Sequence, residues 1–130
     1  MGFLLRDLQA YFDQGLRMAY GFNHEAAGRA FAEAARLDPT CAICVWGQAL
    51  VLGPNINLPM DPATAKDATA LARRAMQLAV HATPADRALI KALRLQLAVS
   101  LLPGDAPVDQ AALDEAAEWL VAAAAIRAPG

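Results

Sequence analysis

Apolar side chains recur every three or four positions along most of the chain, and turn-forming residues interrupt that spacing at intervals. This spacing places the apolar side chains on one face of an α-helix. The pattern predicts six helices, at about residues 4–20, 24–37, 41–52, 62–80, 84–102 and 109–126. Because most links between them are short, neighbouring helices are expected to run antiparallel. The chain is therefore predicted to be all-α, with about three helix pairs.

The predicted helix boundaries coincide with capping residues and prolines. Asn23, Thr40, Asp61 and Thr83 each precede a helical pattern. Their side-chain oxygens can accept hydrogen bonds from the N–H groups that a first helical turn leaves free. Pro39 stands where the second helix has to stop, since proline cannot continue a helix. Each of these four polar residues is therefore predicted to be an N-cap.

Small residues recur at fixed offsets between the first two helices. From Tyr11 to Pro39 the chain reads Y-x3-G-x11-A-x3-F-x2-A-x4-P, through Gly15, Ala27, Phe31 and Ala34. This pattern resembles the tetratricopeptide repeat, a unit of two helices and about 34 residues. A second set at matching offsets consists of Ala49, Ala68, Ala72 and Ala75, with an insertion after the first of them. The cysteine pair and the GPNIN stretch also resemble a bacterial group of tetratricopeptide proteins.

The resemblance implies one domain over residues 1–130, with units at about 5–39, 40–82 and 83–127. It further implies a tetratricopeptide-like solenoid whose concave groove is lined by the first helix of each pair. The residues expected there are Gln9, Phe12, Leu16, Tyr20, Ile43, Trp46 and Leu50. Such a groove implies a protein-interaction scaffold that binds a peptide or protein segment through apolar anchors. The alternative is that its aromatic residues pack only against the neighbouring helix.

The longest predicted loop has the sequence GPNINLPMDP, residues 53–62. Its prolines, glycine and asparagines favour turns over helix. Asn55 and Asn57 can offer amide donors and acceptors to a ligand, and long loops in small domains are often functional. Equally, the loop can serve only to reorient the next helix, with its apolar side chains packed against the stack.

Cys41 and Cys44 form a C-x-x-C motif at the start of the third helix. The helix dipole favours a thiolate there, and a three-residue spacing puts both sulfurs on one side, so a redox or metal-responsive protein is the alternative function. Against it, no strand precedes the motif, and only His24 and His81 remain as further ligands of the usual kind. Two small apolar side chains at a tight helix contact are the simpler interpretation. In a reducing cytoplasm both would be free thiols.

Composition narrows the remaining classes. Net charge is −2 without a basic stripe, which argues against nucleic-acid binding. No apolar run reaches membrane-spanning length and no secretory signal opens the chain, so a cytoplasmic location is expected. No nucleophile, base and oxyanion set is apparent, so neither enzymatic activity nor a cofactor is expected. Asp114, Glu115 and Glu118 are predicted to form a solvated face of the last helix.

The last predicted helix contains LVAAAAI, residues 120–126, which is apolar on nearly all sides. An end helix of a repeat array needs a polar outer face. Two expectations follow: either the array continues beyond this chain, or this helix mediates self-association with a second copy.

Overall fold

The structure is a computed structural model that describes residues 2–21, 23–53, 61–102 and 108–127. Within these ranges it contains α-helices and no β-strand. The helices are α1 (Gly2–Tyr20), α2 (His24–Leu37), α3 (Ala42–Leu52), α4 (Pro62–Leu78), α5 (Pro84–Ser100) and α6 (Gln110–Arg127). A short 3-10 helix, Ala79–His81, continues α4. The all-α prediction is confirmed for this part of the chain, where no helix is long and apolar enough to cross a lipid bilayer.

Three of the predicted N-caps are confirmed by their hydrogen bonds. The side chain of Asn23 accepts from the N–H of Ala26, and that of Thr83 accepts from the N–H of Asp86. Asp61 accepts from the N–H of Thr64 at 2.7 Å, with a proline in the first turn that follows. The hydrogen bonds from Thr64 hold the pKa of Asp61 below its ordinary value, because they stabilise the carboxylate form.

The fourth predicted cap, Thr40, is wrong. Cys41 caps α3 instead, and its Sγ accepts a hydrogen bond from the N–H of Cys44 at 3.2 Å. Thr40 turns back to Asp38, whose Oδ1 accepts its backbone N–H at 3.0 Å and its hydroxyl at 2.6 Å. The carboxylate of Asp38 is a strong acceptor for both of these donors, so Thr40 closes the turn before α3 and does not cap the helix.

Consecutive helices pack against each other along the chain, and α3 also packs against α1 and α5. Helices joined by short links can pack over their length only if they run antiparallel. The first helices of the three pairs are therefore neighbours, with α3 between the other two. This arrangement positions the candidate site described below. A curved solenoid remains a prediction.

Two glycines let α1 and α3 approach the ring of Phe31 on α2 closely. Phe31 on α2 is fully buried and lies between α1 and α3. A β-carbon added at Gly15 would come within 2.7 Å of Cε1 of that ring, and one at Gly47 within 2.6 Å of the same atom. Phe12 meets the ring edge-on, with centroids 5.5 Å apart. Ala27 and Ala34 on α2 are fully buried as well, whereas Ala49, Ala68, Ala72 and Ala75 pack in the core cluster of α3, α4 and α5.

The last helix is joined to the rest partly by buried charge. Asp109, the residue before α6, is almost fully buried and accepts hydrogen bonds from Nε and Nη2 of Arg94 on α5, at 2.7 and 3.2 Å. Nε of Arg73 on α4 lies 3.4 Å from the same carboxylate. Glu115 on α6 lies 3.6 Å from Arg94 and 3.8 Å from Lys91. We call Arg73, Lys91, Arg94, Asp109 and Glu115 the ionic joint.

Candidate functional site

A cavity of about 530 Å³ lies where the first helices of the three pairs meet. Its walls come from α1, α3 and α5. Its lining residues are Leu8, Gln9, Phe12, Leu16, Tyr20, Ile43, Trp46, Leu50, Asp86 and Leu89. We call this cavity the groove. All seven residues that the sequence predicts for the groove, Gln9 included, belong to this one lining. Whether they bind a partner stays a prediction.

Helical spacing explains why these side chains meet. Phe12, Leu16 and Tyr20 succeed one another at four-residue intervals on α1, so they form one row along that helix. Ile43, Trp46 and Leu50 form the matching row on α3. Phe31 and its two glycine neighbours set how closely α1 and α3 approach, and with it the distance between the two rows.

The lining residues divide into a buried floor and exposed rims. Trp46 is only 9% exposed and packs in the core cluster, whereas Tyr20 is 81% and Leu89 47% exposed. The indole nitrogen of Trp46 is buried, and no residue in the described part of the chain accepts a hydrogen bond from it. Tyr20 and Leu89 are thus the most exposed large apolar side chains of the lining, whereas Trp46 is mostly covered.

Asp86 is the charged residue in the groove lining. It lies in the first turn of α5, where the helix dipole stabilises a carboxylate. Among the residues that the structure describes, none forms an ion pair with it. The groove is thus apolar over most of its lining and negative at one end.

A second cavity, of about 330 Å³, adjoins the groove and shares Ile43 and Asp86 with it. We call it the side cavity. It is more polar, and its remaining lining residues are Asp38, Thr40, Cys41, Ala42, Leu78, His81, Ala82 and Thr83. Cys41 thus faces a cavity with two carboxylates, while Cys44 is not among its lining residues.

The two cysteines are joined in a disulfide, with their Cα atoms 5.3 Å apart. Neither of the two cysteines in the sequence is free in this structure, and the expectation of two thiols in a reducing cytoplasm stays a prediction. The N-cap conformation explains the pairing: it brings the side chain of Cys41 over the first turn of α3, within reach of Cys44. Cys44 is also fully buried, as a packing residue would be.

The disulfide bears on the metal-binding alternative. Metal ions bind thiolates, and neither sulfur is a thiolate in this state. Within the described residues no group of three or more His, Cys, Asp or Glu is arranged to hold a metal ion. His81 lines the side cavity, whereas His24 begins α2 on the first helix pair and is half-buried there.

Two further expectations concern the loop and the last helix. Asn55 and Asn57 lie outside the described residues, so nothing bears on their role. On α6, the described side chains of the apolar segment, such as Val121, are exposed. Self-association through this helix stays a prediction. The expected solvated acidic face is wrong for Glu115, which faces Arg94 and Lys91 of α5 in the ionic joint.

Leu8, Asp86 and Leu89 are lining residues that the sequence did not indicate. Asp86 and Leu89 lie on α5, whose unit carries none of the small-residue signature that located the other two rows. A usable signal existed in the order of the chain: in a stack of helix pairs, the first helix of the third pair faces the same way as α1 and α3. Applying the one-turn spacing to α5 would have pointed to this face.

Comparisons of the chain with protein-family models, with curated proteins and with solved structures found no match. The functional proposal therefore depends on the residues and their geometry.

Proposed function

We propose that this chain is a tetratricopeptide-like interaction module whose groove binds a peptide segment with apolar anchors and a neighbouring basic residue. The observation that carries the proposal is the groove itself. Three helices enclose about 530 Å³, with Tyr20 and Leu89 exposed at its rims and Asp86 at one end.

The positions that resemble the repeat family support the first half of this proposal. Gly15 lies against the ring of Phe31, and Ala27 and Ala34 are fully buried. In tetratricopeptide repeats such residues stand where two helices cross closely. A stack of this kind presents its first helices on a common face, which is the face that encloses the groove.

Apolar anchoring is the main source of affinity that the groove offers. Fully burying a leucine-sized or phenylalanine-sized side chain is worth about 1.5–3 kcal/mol. Micromolar binding corresponds to about 8 kcal/mol, and part of every contact offsets lost freedom of the two molecules. Several anchors are therefore required, and a groove of this volume can take more than one side chain. A short segment with apolar residues at helical or alternating spacing meets this requirement.

Asp86 gives the groove a preference in charge. Its carboxylate has no ion-pair partner among the described residues, and a lysine or arginine beside the apolar anchors would supply one. Charge complementarity of this kind fixes orientation and raises the association rate more than it raises affinity. The expected ligand is thus apolar with one cation near one end.

A selection from a random peptide library displayed on phage tests the proposal, because it can be run before any partner is identified. The wild type is the target, and the variant Tyr20→Ala/Leu89→Ala is used for counter-selection. These two residues are chosen because they are exposed, whereas Trp46→Ala would also remove a core side chain. A matched control, Tyr11→Ala/Leu102→Ala, removes the same residue types from exposed positions that do not line the groove.

The expected result is a set of enriched peptides with apolar anchors and a lysine or arginine. They should bind the control variant as tightly as the wild type. Their binding to the rim variant, Tyr20→Ala/Leu89→Ala, should be at least about tenfold weaker, a loss of about 1.4 kcal/mol of binding free energy. Circular dichroism of each variant checks that the helices are retained. Peptides that bind the rim variant and the wild type equally, or no enrichment at all, would remove the groove as the binding surface.

A further inference from the structure

The two sulfurs of the disulfide have different surroundings. Cys41 is half-buried, caps α3 and lines the side cavity. Cys44 lies one turn further along, is fully buried, and does not line that cavity. A reagent that enters the side cavity therefore meets Cys41 and not Cys44.

The cap hydrogen bond adds a chemical difference to the difference in access. Sγ of Cys41 accepts the N–H of Cys44 at 3.2 Å, at the positive end of the α3 dipole. Both effects stabilise negative charge on Cys41. Cys44 has an apolar setting, which disfavours a lasting thiolate there. In the reduced protein, Cys41 is the sulfur suited to be the nucleophile.

We propose that Cys41–Cys44 is a thiol–disulfide exchange site, that exchange proceeds through Cys41, and that its substrates are neutral or cationic thiols. Asp38 and Asp86 line the side cavity, and His81 is the basic side chain that lines it with them. Two carboxylates repel an approaching thiolate that carries a further negative charge. A reductant such as dithiothreitol, a neutral dithiol, fits these conditions.

The exchange consists of two displacements. A thiolate of the dithiol attacks Sγ of Cys41; the new S–S bond forms, the Cys41–Cys44 bond breaks, and its electron pair goes to Cys44, which takes up a proton. The second thiolate of the reductant then attacks the reductant sulfur that is bonded to Cys41 in the mixed disulfide. Cys41 leaves as a thiolate, which the cap N–H stabilises. The dithiol loses two electrons and two protons and becomes a disulfide; Cys44 takes up one proton, and the other protonates Cys41 or passes to water.

Single-cysteine variants test which sulfur reacts. Cys44→Ser leaves Cys41 as the free thiol, and Cys41→Ser leaves Cys44; each is mixed with 4,4′-dithiodipyridine, and the released thiopyridone is followed by absorbance. In native buffer Cys41 is expected to react roughly a hundredfold faster than Cys44, because reactivity follows access and thiolate character. In concentrated urea the two rates should converge. Equal rates in native buffer would overturn the assignment of Cys41.

The wild type provides a second readout that does not depend on either variant folding. It is treated with dithiothreitol, quenched with a maleimide and analysed by peptide mass spectrometry, with helix content followed by circular dichroism. The expected result is reduction while the helices remain, with the first label on Cys41. A disulfide that resists dithiothreitol until urea unfolds the chain would overturn the proposal, since the bond would then be structural only.

Charge selectivity is tested with two monothiols. Cysteamine is cationic and 3-mercaptopropionate anionic, and their rates are compared at equal thiolate concentration. Cysteamine is expected to react about fivefold faster or more, since Asp38 and Asp86 line the same cavity as Cys41. In Asp38→Asn/Asp86→Asn, where the asparagine at 38 keeps an acceptor for Thr40, the preference should vanish. Equal rates with the wild type would exclude the proposed substrate class.

Discussion

The ring of Phe31 lies against the backbone of Gly47, so closely that α3 has no room for a side chain there. A side chain at Gly15 on α1 would collide with the same ring. One side chain on α2 thus sets the approach of α1 and α3, whose facing rows form two walls of the groove. This contact yields the first prediction.

Gly47→Ala is expected to lower the free energy of unfolding by about 1–3 kcal/mol, the usual cost of extra volume in a packed core. The added β-carbon would lie within 2.6 Å of Cε1 of Phe31, and a fully buried ring has little space to move. Urea denaturation followed by circular dichroism measures the change.

Gly28→Ala is the matched control for that substitution. A β-carbon at Gly28 would meet only Cγ2 of Val51, at an ordinary 3.4 Å. Because alanine favours helix over glycine, the control should be neutral or stabilising by up to about 1 kcal/mol. Equal losses in both variants would show that the contact with Phe31 does not account for the cost at Gly47.

The second prediction concerns the ionic joint. Asp109→Ala removes the cap of α6 and the partner of Arg94, which then keeps only Glu115 at 3.6 Å. Breaking a buried charge pair typically costs about 3 kcal/mol. The control Asp114→Ala, at an exposed acid that accepts one hydrogen bond from Gln110, should change stability by less than about 0.5 kcal/mol. Similar effects of the two substitutions would contradict the role given to Asp109.

The third prediction is the pH dependence of that same joint. Burial raises the pKa of Asp109, but hydrogen bonds from Arg94, Ala112 and Arg73 outweigh it and hold that pKa below its ordinary value of 3.8. A lowered folded-state pKa contributes stability above the unfolded-state value, and this contribution is lost as pH falls through the folded-state pKa. The difference in unfolding free energy between wild type and Asp109→Ala should therefore be largest near neutral pH. It should shrink between about pH 5 and pH 2; a constant difference would contradict this linkage.

The fourth prediction tests the charge preference of the groove. Asp86→Asn should weaken binding of the selected basic peptides about two- to fivefold at low salt, the effect expected from one partly exposed ion pair. It should also reduce the salt dependence of the association rate. Asp67→Asn, an exposed acid on α4 outside the groove lining, is the control. Fluorescence anisotropy of a labelled peptide measures both quantities.

The fifth prediction is that the reduced protein stays folded. The disulfide closes a loop of only four residues, so the bond restricts the unfolded chain little. By the loop-entropy relation, its removal costs about 2 kcal/mol or less. Thermal unfolding with and without dithiothreitol should show a modest fall in Tm and the same starting helix content. Complete unfolding on reduction would mean that the pair acts as a structural staple.

Local signals were sufficient for the helices and for two of the groove walls. Apolar spacing and capping residues act within one or two turns, so Asn23, Asp61 and Thr83 could be identified as caps from a few neighbouring positions. The rows on α1 and α3 follow from the same periodicity. The prediction for Thr40 was wrong because its hydroxyl donates to Asp38 and does not accept from the helix. Sequence spacing does not show which of these hydrogen bonds forms.

Contacts between distant positions could not be obtained in this way. Arg94 and Asp109 are fifteen residues apart, and nothing in their spacing distinguishes them from other charges on exposed helix faces. Glu115 was assigned to solvent for the same reason. The disulfide is local, but its formation depends on Cys41 adopting the N-cap conformation, which the sequence assigned to Thr40.

Different interactions stabilise the helix contacts around Phe31 and the contacts of α6. Around Phe31 the helices cohere through close packing of small residues, which salt and acid barely affect, whereas α6 is fastened to its neighbours in part by charges that both agents weaken. Partial unfolding should therefore begin where α6 packs against α5. Because α5 also packs against α3 and α4 through Ile90, Leu93 and Leu97, release of α6 would leave the third wall of the groove in place.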